Sequence, residues 1–89
     1  MLVAIICTDK ADHLETRKSN RDKHIAYLKE TGIVAMAGPF LDQNGDMCGS
    51  LIVLDVPNLE AAQQWAENDP YAIAGLFKNV EIRHWNKVI

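Results

Sequence analysis

A histidine and two arginines occupy positions where a plain packing helix would carry apolar residues. Over residues 14–28, Arg17, Arg21 and His24 recur at helical spacing on the stripe that should face the core. A titratable group on a buried face is costly unless it has a partner, so this helix is expected to border a polar pocket. Asp69, in the segment Asn-Asp-Pro-Tyr, is the candidate partner of His24. A carboxylate that holds a histidine fixes its tautomer and raises its basicity, which suits proton transfer at neutral pH.

The same two residues also have a purely structural explanation. In that explanation Asp69 caps a local turn before Pro70, and His24 is a core histidine whose hydrogen bonds are satisfied. The spacing alone leaves both explanations open.

Further candidate ligand-binding groups flank this pair. The guanidinium groups of Arg21 and Arg17 suit an anionic or enolate-like group. Ser50 could donate a hydrogen bond to a ligand, and Gly49 before it would allow a close backbone approach. For Arg17 the alternative is an ion pair with an acidic residue, and the candidates are Glu15, Asp22 and Asp69.

Neither a metal nor a cofactor is expected. The three histidines are scattered, and Cys7 and Cys48 lie in different contexts that make neither a metal motif nor a disulfide framework. No phosphate-binding glycine loop or dinucleotide fingerprint is present. Unpaired cysteines favour a reduced, cytoplasmic protein.

Composition restricts the partners. The 89 residues suffice for one domain, residues 1–89, and the formal net charge of -3 argues against nucleic-acid binding. No stretch approaches the roughly 20 apolar residues that span a membrane, so no membrane partner is expected. A small-molecule ligand is therefore the expected partner.

The chain alternates predicted strands and helices. Pro39 in the second strand predicts an edge, a bulge or a bend there, because proline cannot donate to a ladder. Asp9 or Asp12 is expected to cap the first helix, Gly32 to end it, and Asn58 to cap the second. The predicted strands cover Leu2–Cys7, Ile33–Leu41, Met47–Val56 and Val80–Val88, the helices His13–Glu30 and about Leu59–Asn68, and Tyr71–Phe77 is a connector with at most a turn of helix.

This order is the β-α-β-β-α-β pattern of a ferredoxin-like α+β fold, with two helices on one face of an antiparallel sheet. The first three strands are continuously apolar rather than alternating, which is typical of strands buried on both faces. Two helices cover only one face, so a second copy of the chain is expected on the other. We therefore predict a homodimer, and the apolar Phe77 and Ile73 leave a higher oligomer open.

Several short motifs, in order along nearly the whole chain, resemble the YciI-like proteins. These are Arg21-x-x-His24, Gly38-Pro39, Gly45, Gly49-Ser50, Asp69-Pro70-Tyr71 and a closing strand that ends in Trp85. YciI-like proteins are similar to the dimeric α/β barrels, which include muconolactone isomerase. The resemblance implies a dimer of ferredoxin-like sheets and an active site at His24 and Asp69. It also supports Ser50 and Arg21 as pocket residues. The predicted substrate-binding residues are Arg21, Ser50, Gly49, Pro39 and Tyr71.

The chemistry that the resemblance implies is metal-free isomerisation, or elimination of HCl from chlorinated hydroxyquinones. The leading hypothesis is therefore a small cofactor-free enzyme that uses His24 and Asp69 for proton transfer on a small, cyclic or aromatic, anionic substrate. One alternative is a module that binds a small metabolite without chemistry. The other is a structural polar cluster within a dimer.

Overall fold

The computed structural model describes all residues from 1 to 89. Its four strands form one antiparallel sheet in the order β2-β3-β1-β4, with α1 and α2 as the two main helices. The α+β ferredoxin-like architecture is therefore confirmed. The elements are β1 (Leu2–Asp9), α1 (Leu14–Thr31), β2 (Val34–Leu41), β3 (Met47–Asp55), α2 (Leu59–Glu67), α3 (Pro70–Ile73) and β4 (Phe77–Trp85).

Both ends of the β1–β4 ladder differ from the prediction. Strand β1 continues through Thr8 and Asp9, which were expected in a loop, because β4 begins at Phe77 and pairs with them across an irregularity in register. Strand β4 ends at Trp85, not at Val88, because β1 begins at Leu2 and offers no partner beyond Trp85. These bounds are set by a pairing between distant segments, which local composition does not encode.

The helix ends are only partly as predicted. Gly32 ends α1 in the left-handed region with φ of 67°, and the Asn58 side chain accepts from the Ala61 N–H at the start of α2. The predicted aspartate cap of α1 is wrong. His13 occupies the cap position without a capping side-chain bond, because Asp9 lies in β1 and is held by another side chain.

The core lies between the helices and one face of the sheet. Strand residues of β1 and β3 pack there against Ala62 and Trp65 of α2. The buried cluster comprises Val3, Ile5, Cys7, Ile52, Leu54, Val56, Ala62 and Trp65.

The opposite face, which we call the bare face, carries exposed apolar side chains. Alternation along the strands places Met36 and Phe40 of β2 and Trp85 of β4 on it, and all three are exposed. Strand β2 is an edge strand, so Pro39 lies at an edge as predicted. In the single chain, the continuous apolar run of β2 is therefore exposed.

None of the helices combines the length and apolarity that crossing a bilayer requires.

Candidate active site

A cavity of about 160 Å³ lies between α1, α3 and the β2–β3 half of the sheet. One side of its lining is polar and comes from three different elements. The other side is apolar and includes Ile25, Leu28, Met47 and Ile52. The polar lining residues are Arg17, Arg21, His24, Ser50 and Tyr71.

His24 and Asp69 meet behind this cavity, 45 positions apart in the chain. The distance from His24 Nδ1 to Asp69 Oδ1 is 2.8 Å, and the two residues are 7% and 1% exposed. Helix α1 carries His24 on its inner side. Asp69 leaves the helical region before Pro70, with φ of -61° and ψ of 127°, and so becomes the cap of α3.

The same Asp69 oxygen also accepts from the Tyr71 N–H at 2.9 Å. One carboxylate oxygen of Asp69 thus both caps α3 and contacts His24. An ionised carboxylate only accepts, so the hydrogen of the pair lies on His24 Nδ1. In the neutral form of this tautomer the lone pair lies on Nε2, for which the structure shows no protein hydrogen bond, and His24 lines the cavity.

Tyr71 forms a flat surface against which the histidine is fixed. Its ring stacks on the His24 imidazole with centroids 3.9 Å apart and planes inclined by 13°. The Arg17 guanidinium carbon lies 4.6 Å from the same ring centroid. Burial raises the pKa of the Tyr71 phenol, although the charges of Arg17 and Arg21 act in the opposite direction. Tyr71 therefore lies between the His24 imidazole and the Arg17 guanidinium.

Arg17 in turn forms a buried ion pair with Asp9. Arg17 Nε and Nη2 lie 2.7 and 2.9 Å from the two Asp9 carboxylate oxygens, and Nη2 also lies 2.9 Å from Ser50 Oγ. Burial lowers the pKa of Arg17, but the hydrogen bond and charge of Asp9 outweigh it and leave the pKa raised. None of the three predicted acidic partners of Arg17 pairs with it. Asp9 was missed as a site residue because it was expected in a loop.

The remaining predicted residues divide between the cavity and its surroundings. Arg21 and Pro39 line the cavity, and Arg21 is exposed with no ion pair to an acidic side chain. Gly49 does not line it, because neighbouring residues of a strand point to opposite faces and Ser50 faces the cavity. Gly49 instead permits the close approach of β3 and β1, since a Cβ there would collide with the Cys7 carbonyl oxygen.

Sequence comparison finds relatives that match nearly the whole chain. The family model described as the YCII-related domain matches residues 1–86. Protein YciI from Escherichia coli O6:H1 is 39% identical over 99% of both chains. An uncharacterised protein from Haemophilus influenzae is 31% identical over the same share of both chains.

Two solved structures show how far the fold is shared. One is 5-chloro-2-hydroxyhydroquinone dehydrochlorinase (TftG) from Burkholderia phenoliruptrix AC1100, in complex with 2,5-dihydroxybenzoquinone. It has a TM-score of 0.88 and 29% identity, covering 97% of this chain and 94% of that chain. An antibiotic biosynthesis monooxygenase has a TM-score of 0.62 at 11% identity over the full length of both chains, which is a likeness of fold alone.

Proposed function

Because this chain belongs to the YCII-related family, we propose that it is a small enzyme that transfers a proton on a single-ring, oxygen-substituted, anionic substrate, in an isomerisation or an elimination. The observation that carries the proposal is the 2.8 Å contact between His24 Nδ1 and Asp69 Oδ1 beside the cavity. It supports a role for the other ring nitrogen of His24 as a general base toward the cavity that His24 lines.

The roles of the polar groups follow from their chemistry. Nε2 of His24 removes a proton from the substrate, and the imidazolium that forms is stabilised by Asp69. In an elimination from a chlorinated hydroquinone, the ring first takes a keto tautomer with a hydrogen on the chlorine-bearing carbon. The electron pair of a broken O–H bond then forms a C=O bond, the ring double bond shifts, and chloride leaves with the electron pair of the C–Cl bond. Negative charge that develops on a substrate oxygen is stabilised by Arg21 and by the Ser50 hydroxyl.

The size of the cavity supports a single-ring substrate. Its volume of about 160 Å³ is close to that of engineered cavities of about 150 Å³ that bind benzene. The apolar wall of Ile25, Leu28 and Ile52 suits the ring, and the polar residues suit its oxygen substituents. The dehydrochlorinase with TM-score 0.88 carries a ring compound of this class, 2,5-dihydroxybenzoquinone.

The test compares two histidine variants in an assay of 5-chloro-2-hydroxyhydroquinone turnover. His24→Gln should lower turnover by at least about 100-fold, the usual contribution of a general acid or base. His84→Gln, which changes an exposed histidine of β4, should leave turnover unchanged. Thermal unfolding of each variant shows whether the fold is retained.

Two results would count against catalysis. Saturable binding of 2,5-dihydroxybenzoquinone with no product from 5-chloro-2-hydroxyhydroquinone indicates a binding module. Loss of folding in His24→Gln and in Asp69→Asn alike, with no ligand bound by the wild-type protein, indicates a structural polar cluster.

We also propose that the bare face is covered by a second copy of the chain. Apolar residues at both edges of this face, Met36 and Phe40 on β2 and Trp85 on β4, are exposed in the single chain, and large exposed apolar surfaces mark interaction sites. Sedimentation equilibrium should give twice the mass of 10.0 kDa. A monomer at micromolar concentration would contradict the proposal.

A further inference from the structure

Arg17 is the most deeply buried cation of the chain, whereas Arg21, which also lines the cavity, is exposed. Arg17 is 2% exposed and is held from behind by both carboxylate oxygens of Asp9, whose side chain is 7% exposed. A two-point contact of this kind fixes the plane of the guanidinium. The third contact of Arg17, from Nη2 to Ser50 Oγ, therefore has a fixed direction as well.

This contact determines how the Ser50 hydroxyl can bond. A guanidinium carries donors only, so Ser50 Oγ must accept from Arg17 Nη2 at 2.9 Å. The single hydroxyl hydrogen then points elsewhere. Ser50 is 3% exposed and lines the cavity, and the structure shows no protein acceptor for its hydrogen. The cavity is the direction that remains.

Resting on the function proposed above, we infer that Asp9 and Arg17 are positioning residues that preset the Ser50 hydroxyl as a hydrogen-bond donor to the ligand. A serine hydroxyl otherwise rotates freely between donor and acceptor roles. Here the bond from Arg17 occupies one of the two acceptor lone pairs, so the hydroxyl hydrogen cannot point toward Arg17. Neither Asp9 nor Arg17 needs to touch the reacting atoms for this effect.

The neighbours of Ser50 in the sheet do not compete for its hydrogen. Ser50 pairs with Cys7 on β1 and with Pro39 on β2. The buried Cys7 thiol is only a weak acceptor, and the structure shows no hydrogen bond from the Ser50 hydroxyl to Cys7 or to Pro39. A buried ion pair is a costly way to stabilise a core, because an apolar pair of equal volume often does as well. A role in orienting a ligand-facing group accounts for its presence beneath the cavity.

The inference adds a polarity to the proposed substrate. Ser50 presents a hydrogen to the cavity, whereas His24 presents the lone pair of Nε2. A ligand must then place an acceptor oxygen, carbonyl or phenolate, toward Ser50 and the hydrogen to be removed toward His24. A hydroxylated quinone offers both groups on one ring.

The first experiment needs no ligand. Neutron diffraction of deuterated, ligand-free protein shows the deuterium on Ser50 Oγ directly. The deuteron should point into the cavity, with the Arg17 Nη2–D directed at Ser50 Oγ. A Ser50 deuteron directed at Asp9 or at a backbone carbonyl would overturn the inference, whatever the protein catalyses.

The second experiment is a double-mutant cycle with 2,5-dihydroxybenzoquinone as the probe. Ser50→Ala and Arg17→Lys should each weaken binding by about tenfold, the loss expected for one good hydrogen bond. The double variant should bind no more weakly than either single one, because Arg17 acts through Ser50. Arg83→Lys, at an exposed position of β4, is the matched control and should bind like wild type.

The outcomes separate the two proposals. Losses that multiply in the double variant would show that Arg17 acts independently of Ser50 and would overturn the positioning role. Failure of wild-type protein to bind the probe would contradict the proposed substrate class, while the neutron result would still decide the orientation of Ser50.

Discussion

Two buried acid–base pairs border the same cavity, and they differ in what they leave free. In the Asp9–Arg17 pair both carboxylate oxygens are used, and the remaining Arg17 contact goes to Ser50. In the Asp69–His24 pair one carboxylate oxygen serves both His24 and the Tyr71 N–H, and one ring nitrogen of His24 has no protein partner. We call the first the closed pair, because its contacts lie within the protein, and the second the open pair, because one ring nitrogen of His24 has no protein partner.

The difference follows from the two bases. A guanidinium stays charged at any ordinary pH, so a buried arginine must keep its partner, and the pair serves to fix geometry. An imidazole can be neutral or charged near pH 7, so a buried histidine can give and take a proton without unfolding its surroundings. Tyr71 lies against both, 3.9 Å from the His24 ring and 4.6 Å from the Arg17 guanidinium carbon.

The largest expected effect comes from removing each acid in turn. Asp9→Asn leaves the Arg17 charge buried without a counter-charge and should lower the free energy of unfolding by about 3 kcal/mol. Asp69→Asn can still cap α3 through its amide oxygen and leaves a histidine that can be neutral, so it should cost only about 1 kcal/mol. Urea unfolding at pH 7 measures both.

The matched control is Asp55→Asn, which changes an exposed carboxylate at the other end of the sheet. It should shift the free energy of unfolding by less than about 0.5 kcal/mol. Equal losses in Asp9→Asn and Asp69→Asn would remove the distinction between a closed and an open pair.

A smaller effect concerns how well water is excluded around Cys7, between the Asp9–Arg17 and Asp69–His24 pairs. Cys7 pairs with Ser50 in the sheet, and burial, reinforced by the Asp69 charge, raises the pKa of its thiol from 9.0 to about 12. The folded state therefore holds this proton more tightly than the unfolded state. The stability it contributes is complete below pH 9 and is lost as the pH rises toward 12.

From about pH 8 to about pH 10, this thiol should lower the free energy of unfolding by about 1.4 kcal/mol. Cys7→Ala should lose that part of the pH dependence, and Cys48→Ala should keep it. Urea unfolding of both variants under reducing conditions makes the comparison. An unchanged slope in Cys7→Ala would mean that water reaches this part of the site.

The smallest effect should come from Arg21, the exposed cation of the cavity. Arg21→Gln should weaken binding of 2,5-dihydroxybenzoquinone by about fivefold and reduce its salt dependence, because a solvent-exposed charge is screened. Stability should change by less than about 0.5 kcal/mol. Calorimetric titration at two ionic strengths measures this, with Lys23→Gln as the control on the same helix. A loss of folding in Arg21→Gln would place Arg21 with the closed pair.

The local signals in the sequence predicted what local physics determines. Apolar runs located the strands, Gly32 and Asn58 marked helix ends, and the placement of Asp69 before Pro70 indicated a residue outside the helix. The spacing of Arg17, Arg21 and His24 predicted a polar pocket beside α1, where the cavity lies.

What the sequence did not reveal depends on pairing between distant segments. The extension of β1 to Asp9 requires Phe77 of β4 as its partner, and without it Asp9 resembles a loop residue or a helix cap. The buried partner of Arg17 was missed for this reason. Gly49 was expected to approach the ligand, but alternation along β3 turns it away from the cavity that its neighbour Ser50 lines.

In the proposed function, Asp69 holds His24 so that the free lone pair lies on Nε2. The most direct test is ¹⁵N NMR of the His24 imidazole, assigned by comparison with His24→Gln, at a pH where the ring is neutral. The wild-type protein should show the tautomer with hydrogen on Nδ1, and Asp69→Asn should show a mixture of tautomers. A wild-type imidazole with hydrogen on Nε2 would contradict the proposed function, because no base would then face the cavity.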